Sequence, residues 1–120
     1  NENKIDVVSL MTEVDSFTAK KSSVVKVKTD ENHCAIKFTR EFNENCSIYF
    51  KHIGVYAFRK LALKRFGSID PTLNEKKEKI EAIRIVENNF KFKMIQVRGE
   101  ALSIDTQSDL QEARKYFSND

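Results

Sequence analysis

Apolar and polar positions change period several times along this chain, and each change marks an element. Residues 7–14 (VVSLMTEV) are rich in β-branched side chains and read as a strand. Residues 23–29 alternate toward their end, with Val25 and Val27 on one face and Lys26 and Lys28 on the other. Asp30, Glu31 and Asn32 signal a turn. Residues 34–40 alternate again, Ile36 and Phe38 against Lys37 and Thr39, so 23–40 is a hairpin candidate. A polar loop, 41–47, leads to a third apolar strand over 48–56. Its Gly54 marks a bulge or a close approach of backbone to a ligand.

The period then becomes helical. Phe58, Leu61, Ala62 and Phe66 fall at helix spacing, Gly67 is placed to end that helix, and Asp70-Pro71 punctuates the chain before the next. Residues 73–86 are helical by propensity, with almost entirely charged first turns and an apolar stripe of Ile80, Ile83 and Val86. Residues 90–97 alternate as a strand. Thr106 starts a last helix, with Asp109 at the capping-box position and Leu110, Ala113 and Phe117 on its apolar face. Three or four strands, two helices, a strand and a helix predict an α+β (mixed α/β) fold: a mixed sheet with a β-hairpin extension and about three helices. The repeated βα units of a full doubly wound fold are missing.

A length of 120 residues fits one domain, and 40% hydrophobic residues supply a core. The net charge of +3 comes from interspersed signs rather than a basic stripe, which argues against nucleic acid as the primary partner. No apolar run approaches the ~20 residues of a membrane helix, and residues 1–6 are polar rather than signal-like, so no membrane partner is expected. The chain does not begin with Met, so an upstream N-terminus is expected. Cys34 and Cys46 lack CxxC spacing and read as reduced thiols of a cytoplasmic protein.

The chemistry is narrower. No Walker loop, GxGxxG, HExxH or GxSxG occurs, and Gly54, Gly67 and Gly99 are too scattered to build a phosphate-cradling loop. Arg40, at a strand end, can pair a carboxylate or phosphate, or stand as a solvated charge. His52, Gly54 and Tyr56 share one strand face, either a recess with polar tips suited to a hydroxylated acid or a core histidine beside an interfacial tyrosine. Glu75, Glu78 and Glu81 recur every three residues, as acceptors for sugar hydroxyls or as a solvated face paired with Lys76, Lys77 and Lys79. Asp105, at a strand-to-helix junction, can ligate Mg²⁺ or serve the start of the helix.

In order along the chain, these blocks are Val25-Lys26-Val27, Phe38-Thr39-Arg40, His52-Ile53-Gly54-Val55-Tyr56-Ala57-Phe58-Arg59, the Glu75-Glu78-Glu81 helix with Arg84, and Ile104-Asp105-Thr106-Gln107-Ser108-Asp109-Leu110. From about residue 7 to 117 the chain resembles the C-terminal half of the CMP-Kdo synthetase family (3-deoxy-manno-octulosonate cytidylyltransferases). HIGVYAFR and IDTxxDL are the specific blocks. The resemblance implies transfer of CMP from CTP to the sugar acid Kdo, with release of pyrophosphate and help from Mg²⁺. It places Arg40, His52, Tyr56, Glu75 and Glu78 against Kdo and Asp105 on Mg²⁺, assigns no catalytic residue, and gives the hairpin segment 23–56 a part in a homodimer.

The chain departs from the family in three places. Glu41 and Phe42 stand where the family has a Pro-Ile-Pro loop with another Arg. Ala82 stands where a Gln usually follows the third Glu, and Leu73-Asn74 where a proline is common. The family's CTP-gripping front half has no counterpart here. Two expectations follow: part of a cytidylyltransferase that is inactive alone, or a non-catalytic dimerising module.

Overall fold

A computed structural model describes residues 4–98, which form five strands and four helices. In chain order these are β1 (Val7–Val14), α1 (Ser16–Ala19), β2 (Lys26–Thr29), β3 (Ala35–Thr39), β4 (Tyr49–Phe58), α2 (Lys60–Gly67), α3 (Leu73–Glu78), α4 (Ala82–Glu87) and β5 (Phe92–Gln96). The expected mixed α/β architecture and its hairpin are present. The last expected helix, from Thr106, lies outside the described residues, as do Gly99 and Asp105.

The sheet order is β3-β2-β4-β1-β5, with β1 and β5 parallel and the other neighbours antiparallel. β1 lies between two strands, and Val7, Val8, Ser9 and Leu10 are fully buried. Burial on both faces explains its near-continuous apolar run. The sheet curls until its outer strands meet: Cys34 bridges to Lys93, and Met94 N–H donates to the His33 carbonyl at 2.8 Å. Phe38 and Phe92 face each other inside the curl, ring centres 5.5 Å apart. Ile80, Ile83 and Ile85 close the same core from the helical side.

Gly54 lies in a bulge. Ser9 pairs with Tyr56 and the next residue, Leu10, with Ile53, so β4 carries two extra residues opposite one step of β1. Because two are inserted, alternation is preserved and His52 and Tyr56 stay on one face. The Ser9 hydroxyl sits 2.7 Å from the Val55 carbonyl and 3.1 Å from that of Ile53, and its oxygen lies 2.9 Å from His52 Nε2. With its single proton given to a carbonyl, the hydroxyl receives the Nε2–H of the histidine. Ser9→Ala would leave buried carbonyls and an imidazole N–H short of a partner, a loss of about 1–3 kcal/mol in urea unfolding; an unchanged midpoint would exclude this role.

Three local expectations need correction. The helix expected over 73–86 is two helices, because Lys79 adopts a left-handed conformation (φ 59°, ψ 46°) and ends α3. The reason is tertiary. Arg40 Nε donates to the Glu78 carbonyl at 3.0 Å and Arg40 Nη2 to that of Lys79 at 3.1 Å, satisfying the carbonyls that a helix end exposes. The break turns Ile80 and Ile83 into the core. Gly67 does not end α2 as a left-handed cap; it is the last helical residue, and Ser68 follows in right-handed geometry. Leu61, placed on the apolar stripe of α2, is 75% exposed, since this eight-residue helix buries only the Ala62–Phe66 line. Lys26, on the face opposite Val25 and Val27, is buried with Nζ on the carbonyls of Arg40 (2.6 Å) and Lys21 (3.3 Å). Burial lowers its ammonium below the ordinary lysine range, with the nearby Arg40 charge adding to the effect.

Candidate functional site

Of the expected site residues, the five among the described residues (Arg40, His52, Tyr56, Glu75 and Glu78) lie where β4, the end of β3 and the α3–α4 junction meet. Phe38, His52, Tyr56 and Phe92 form a closed aromatic cluster, with centroids 4.8 Å apart from Phe38 to His52, 5.5 Å from His52 to Tyr56, 6.2 Å from Tyr56 to Phe92 and 5.5 Å from Phe92 back to Phe38. The Phe38–His52 and His52–Tyr56 pairs meet edge-on, the favoured arrangement for packed rings. His52 is 9% exposed, and burial lowers its pKa from 6.5 to about 4. It is therefore a neutral imidazole at neutral pH, with Nε2–H fixed on Ser9.

Tyr56 is half-buried. Burial first, then the charges of Glu81 and Glu75, push its phenol well above the ordinary tyrosine range. It stays a protonated donor at any physiological pH. Glu81 is exposed beside it, so the third glutamate of the charged helix contributes a carboxylate near the hydroxyl.

Glu75 is held differently. Its carboxylate receives Arg84 Nε and Nη2, each at 2.7 Å, and closes a capping box with Thr72 at the start of α3. Hydrogen bonding from Arg84 is the main cause that keeps its pKa below the ordinary glutamate value. The Arg84 guanidinium also lies 4.5 Å over the Phe66 ring and donates to the Ile69 carbonyl. This i, i+9 pair spans the helix break, so no helical periodicity announces it.

Arg40 is likewise engaged, on the carbonyls of Ser22, Ser23, Glu78 and Lys79. It ties the start of the hairpin to the end of α3. Glu78 lines a cleft of about 310 Å³ between β3 and the α3–α4 pair, together with Phe38, Thr39, Lys77, Ile83 and Glu87. Phe38 stands between that cleft and His52. The fold thus brings the five residues into one neighbourhood without opening them into one recess. Among the described residues, the Tyr56 hydroxyl and the Glu78 carboxylate have no hydrogen-bond partner, while His52, Glu75 and Arg40 are already bonded. Among the described residues no group of three or more His, Cys, Asp or Glu is placed to hold a metal ion. No helix among them is long and apolar enough to cross a membrane.

Comparison with known proteins matches the chain to one kind of enzyme. No protein-family model matches the chain. The 3-deoxy-manno-octulosonate cytidylyltransferase of Rickettsia conorii is 37% identical over 98% of this chain; those of Rickettsia africae and Rickettsia canadensis are each 36% identical over the same share. In each case the chain spans about half of the relative, 48% of its length. A solved structure of CMP:2-keto-3-deoxy-manno-octonic acid synthetase complexed with CTP superposes with a TM-score of 0.75 over 96% of this chain and 50% of that one. At 23% identity that likeness bears on the fold. In sequence along nearly its whole length and in fold, this chain resembles one half of a CMP-Kdo synthetase, a 3-deoxy-manno-octulosonate cytidylyltransferase.

Proposed function

We propose that this chain is the acceptor-sugar part of a cytidylyltransferase that joins CMP, from CTP, to a Kdo-like sugar acid and releases pyrophosphate. The observation that carries the reading is the match to cytidylyltransferases along 98% of the chain. The triphosphate grip would come from residues outside this chain, since its scattered glycines form no phosphate loop. The transferase names of the relatives favour this over a non-catalytic module.

In this reading Tyr56 donates to a sugar hydroxyl or carboxylate, and Glu78 accepts from sugar hydroxyls. Arg40, His52 and Glu75 face the same sugar in the resemblance; here they also fix the elements that present it. Asp105 is the proposed Mg²⁺ ligand, sharing the ion with groups outside the described residues; the ion would neutralise charge on the phosphates. A homodimer through the hairpin segment is also proposed, supported by Ile36 and Ile48, which are 51% and 54% exposed there. The proposed location is the cytoplasm.

The test mixes this chain with the half of the Rickettsia conorii enzyme that it does not match, adding CTP, Kdo and Mg²⁺. Pyrophosphate release is expected from the mixture and from neither part alone. Tyr56→Phe is expected to weaken Kdo binding about tenfold, read by NMR shifts around Tyr56 and Glu78, because one hydrogen bond to a polar ligand is lost. Turnover by the chain alone, or a mixture without turnover, would sink the reading.

A further inference from the structure

Several groups of β4 converge on one hydroxyl of β1. The Ser9 oxygen stands 2.7 Å from the Val55 carbonyl and 3.1 Å from that of Ile53, both in the bulge. His52 Nε2 reaches the same oxygen at 2.9 Å. Ser9 is fully buried, so bulk water does not compete for these contacts.

A hydroxyl has a single proton, and carbonyls can only accept. The proton therefore goes to the bulge, and to Val55 first because that contact is shorter. The oxygen is left as an acceptor toward His52. A neutral imidazole carries its hydrogen on one nitrogen alone, and the Ser9 oxygen draws it to Nε2. With the hydrogen on Nδ1 instead, the Nε2 lone pair would face the lone pairs of a hydroxyl whose proton is already committed. The bulge thus sets, through Ser9, the tautomer of a ring on the same strand.

The other ring nitrogen follows from that. Nδ1 is bare, can only accept, and has no hydrogen-bond partner among the described residues. An acceptor on so nearly buried a side chain calls for a donor. The Tyr56 hydroxyl, on the same strand face, does not supply it, since it too has no partner among the described residues. One face of β4 therefore offers a lone pair and an O–H from neighbouring rings, with centres 5.5 Å apart. Ligand hydroxyls, which both donate and accept, satisfy the two. A carboxylate, which only accepts, satisfies Tyr56 and is repelled by Nδ1. Burial closes the other route, because it disfavours the imidazolium that would let Nδ1 donate.

We propose that Ser9 is a positioning residue of the acceptor site: it holds His52 with its hydrogen on Nε2, so that Nδ1 receives a hydroxyl of the sugar acid and turns the carboxylate away. The proposal rests on the functional reading above. It adds the polarity of one subsite, which a histidine and a tyrosine on one strand face leave open by themselves.

Nitrogen NMR of the imidazole tests it, since a bare ring nitrogen and a protonated one resonate apart. In the chain at neutral pH, His52 Nε2 is expected to carry the hydrogen and Nδ1 to be bare; hydrogen on Nδ1 would overturn the proposal. With Kdo as the probe, Nδ1 is expected to shift as an acceptor and stay bare. Kdo bound at Tyr56 with Nδ1 unmoved or protonated would overturn the proposal and keep the functional reading. Kdo that shifts no residue would sink the functional reading, and the subsite with it. Ser9→Ala is a second arm. Without the hydroxyl, hydrogen is expected to appear on Nδ1 and Kdo binding to weaken about tenfold. Ser9→Thr keeps the hydroxyl and should restore the tautomer, with affinity within about twofold of the parent. A serine with a structural role alone would cost Ser9→Ala stability and leave the tautomer as it was, which would overturn the proposal. Should Ser9→Ala unfold, the tautomer in the parent chain and in Ser9→Thr decides.

Discussion

Arg84→Ala is expected to lower the unfolding free energy by about 3 kcal/mol, because it strands a nearly buried carboxylate. The side chains of Arg84 and Glu75 are only 13% and 11% exposed, and the two contacts of 2.7 Å make a fork-to-fork pair. Without the guanidinium, Glu75 keeps only its capping-box partner at Thr72, and the Phe66 ring and Ile69 carbonyl lose their cation. Glu75→Ala should be as damaging for the converse reason. The double variant should lose about 1–3 kcal/mol less than the sum, since each single change already destroys the pair. Glu75 has a lowered folded pKa, so its contribution is present above the ordinary glutamate value and is lost as pH falls through the folded one. The gap between parent and Arg84→Ala should therefore narrow below about pH 4.5. Urea titrations that find Arg84→Ala within about 0.5 kcal/mol of the parent would show that the pair contributes nothing net.

The same pair marks the limit of what the sequence makes legible. The β-branched strand in residues 7–14, the hairpin and the bulge at Gly54 are local patterns, and each is found in the structure. The helix break at Lys79 is not local. Propensity favours a continuous helix there, and the contrary instruction comes from Arg40, 39 positions away, through its bond to the Lys79 carbonyl. The burial of Lys26 is set in the same way, since alternation with Val25 and Val27 gives only its face, and the carbonyl of Arg40 draws its ammonium inward. Of the site, His52 and Tyr56 are legible because a two-residue bulge preserves their common face. That Glu75 is bound to Arg84 while Glu81 faces Tyr56 depends on a break that no periodicity shows. The exposed Leu61 and Leu73 look like core residues in sequence and have no cover among the described residues of this half.

His52 is expected to make the fold acid-sensitive well above the carboxylate range. Its folded pKa of about 4 lies below its ordinary 6.5, because burial penalises the imidazolium. The unfolded chain therefore binds a proton that the folded chain refuses, and stability falls as pH drops from about 6.5 toward 4. Between about pH 7.5 and pH 5 the loss is about 2 kcal/mol, and it approaches about 3 kcal/mol once both states are protonated. Glu75 cannot imitate this, since its contribution is lost only below the ordinary glutamate value. His52→Gln, neutral throughout, should unfold at similar urea concentrations at both pH values, whatever its absolute stability. A parent chain equally stable at both pH values would mean that the imidazolium is accommodated in the fold. A neutral His52 has a consequence for the proposed acceptor site as well: at neutral pH a sugar carboxylate would meet a dipolar Ser9–His52 pair and the Tyr56 hydroxyl, not an imidazolium. Binding of the sugar acid should then show no step near the ordinary histidine pKa, a pattern that NMR titration with Kdo can read on the same chain.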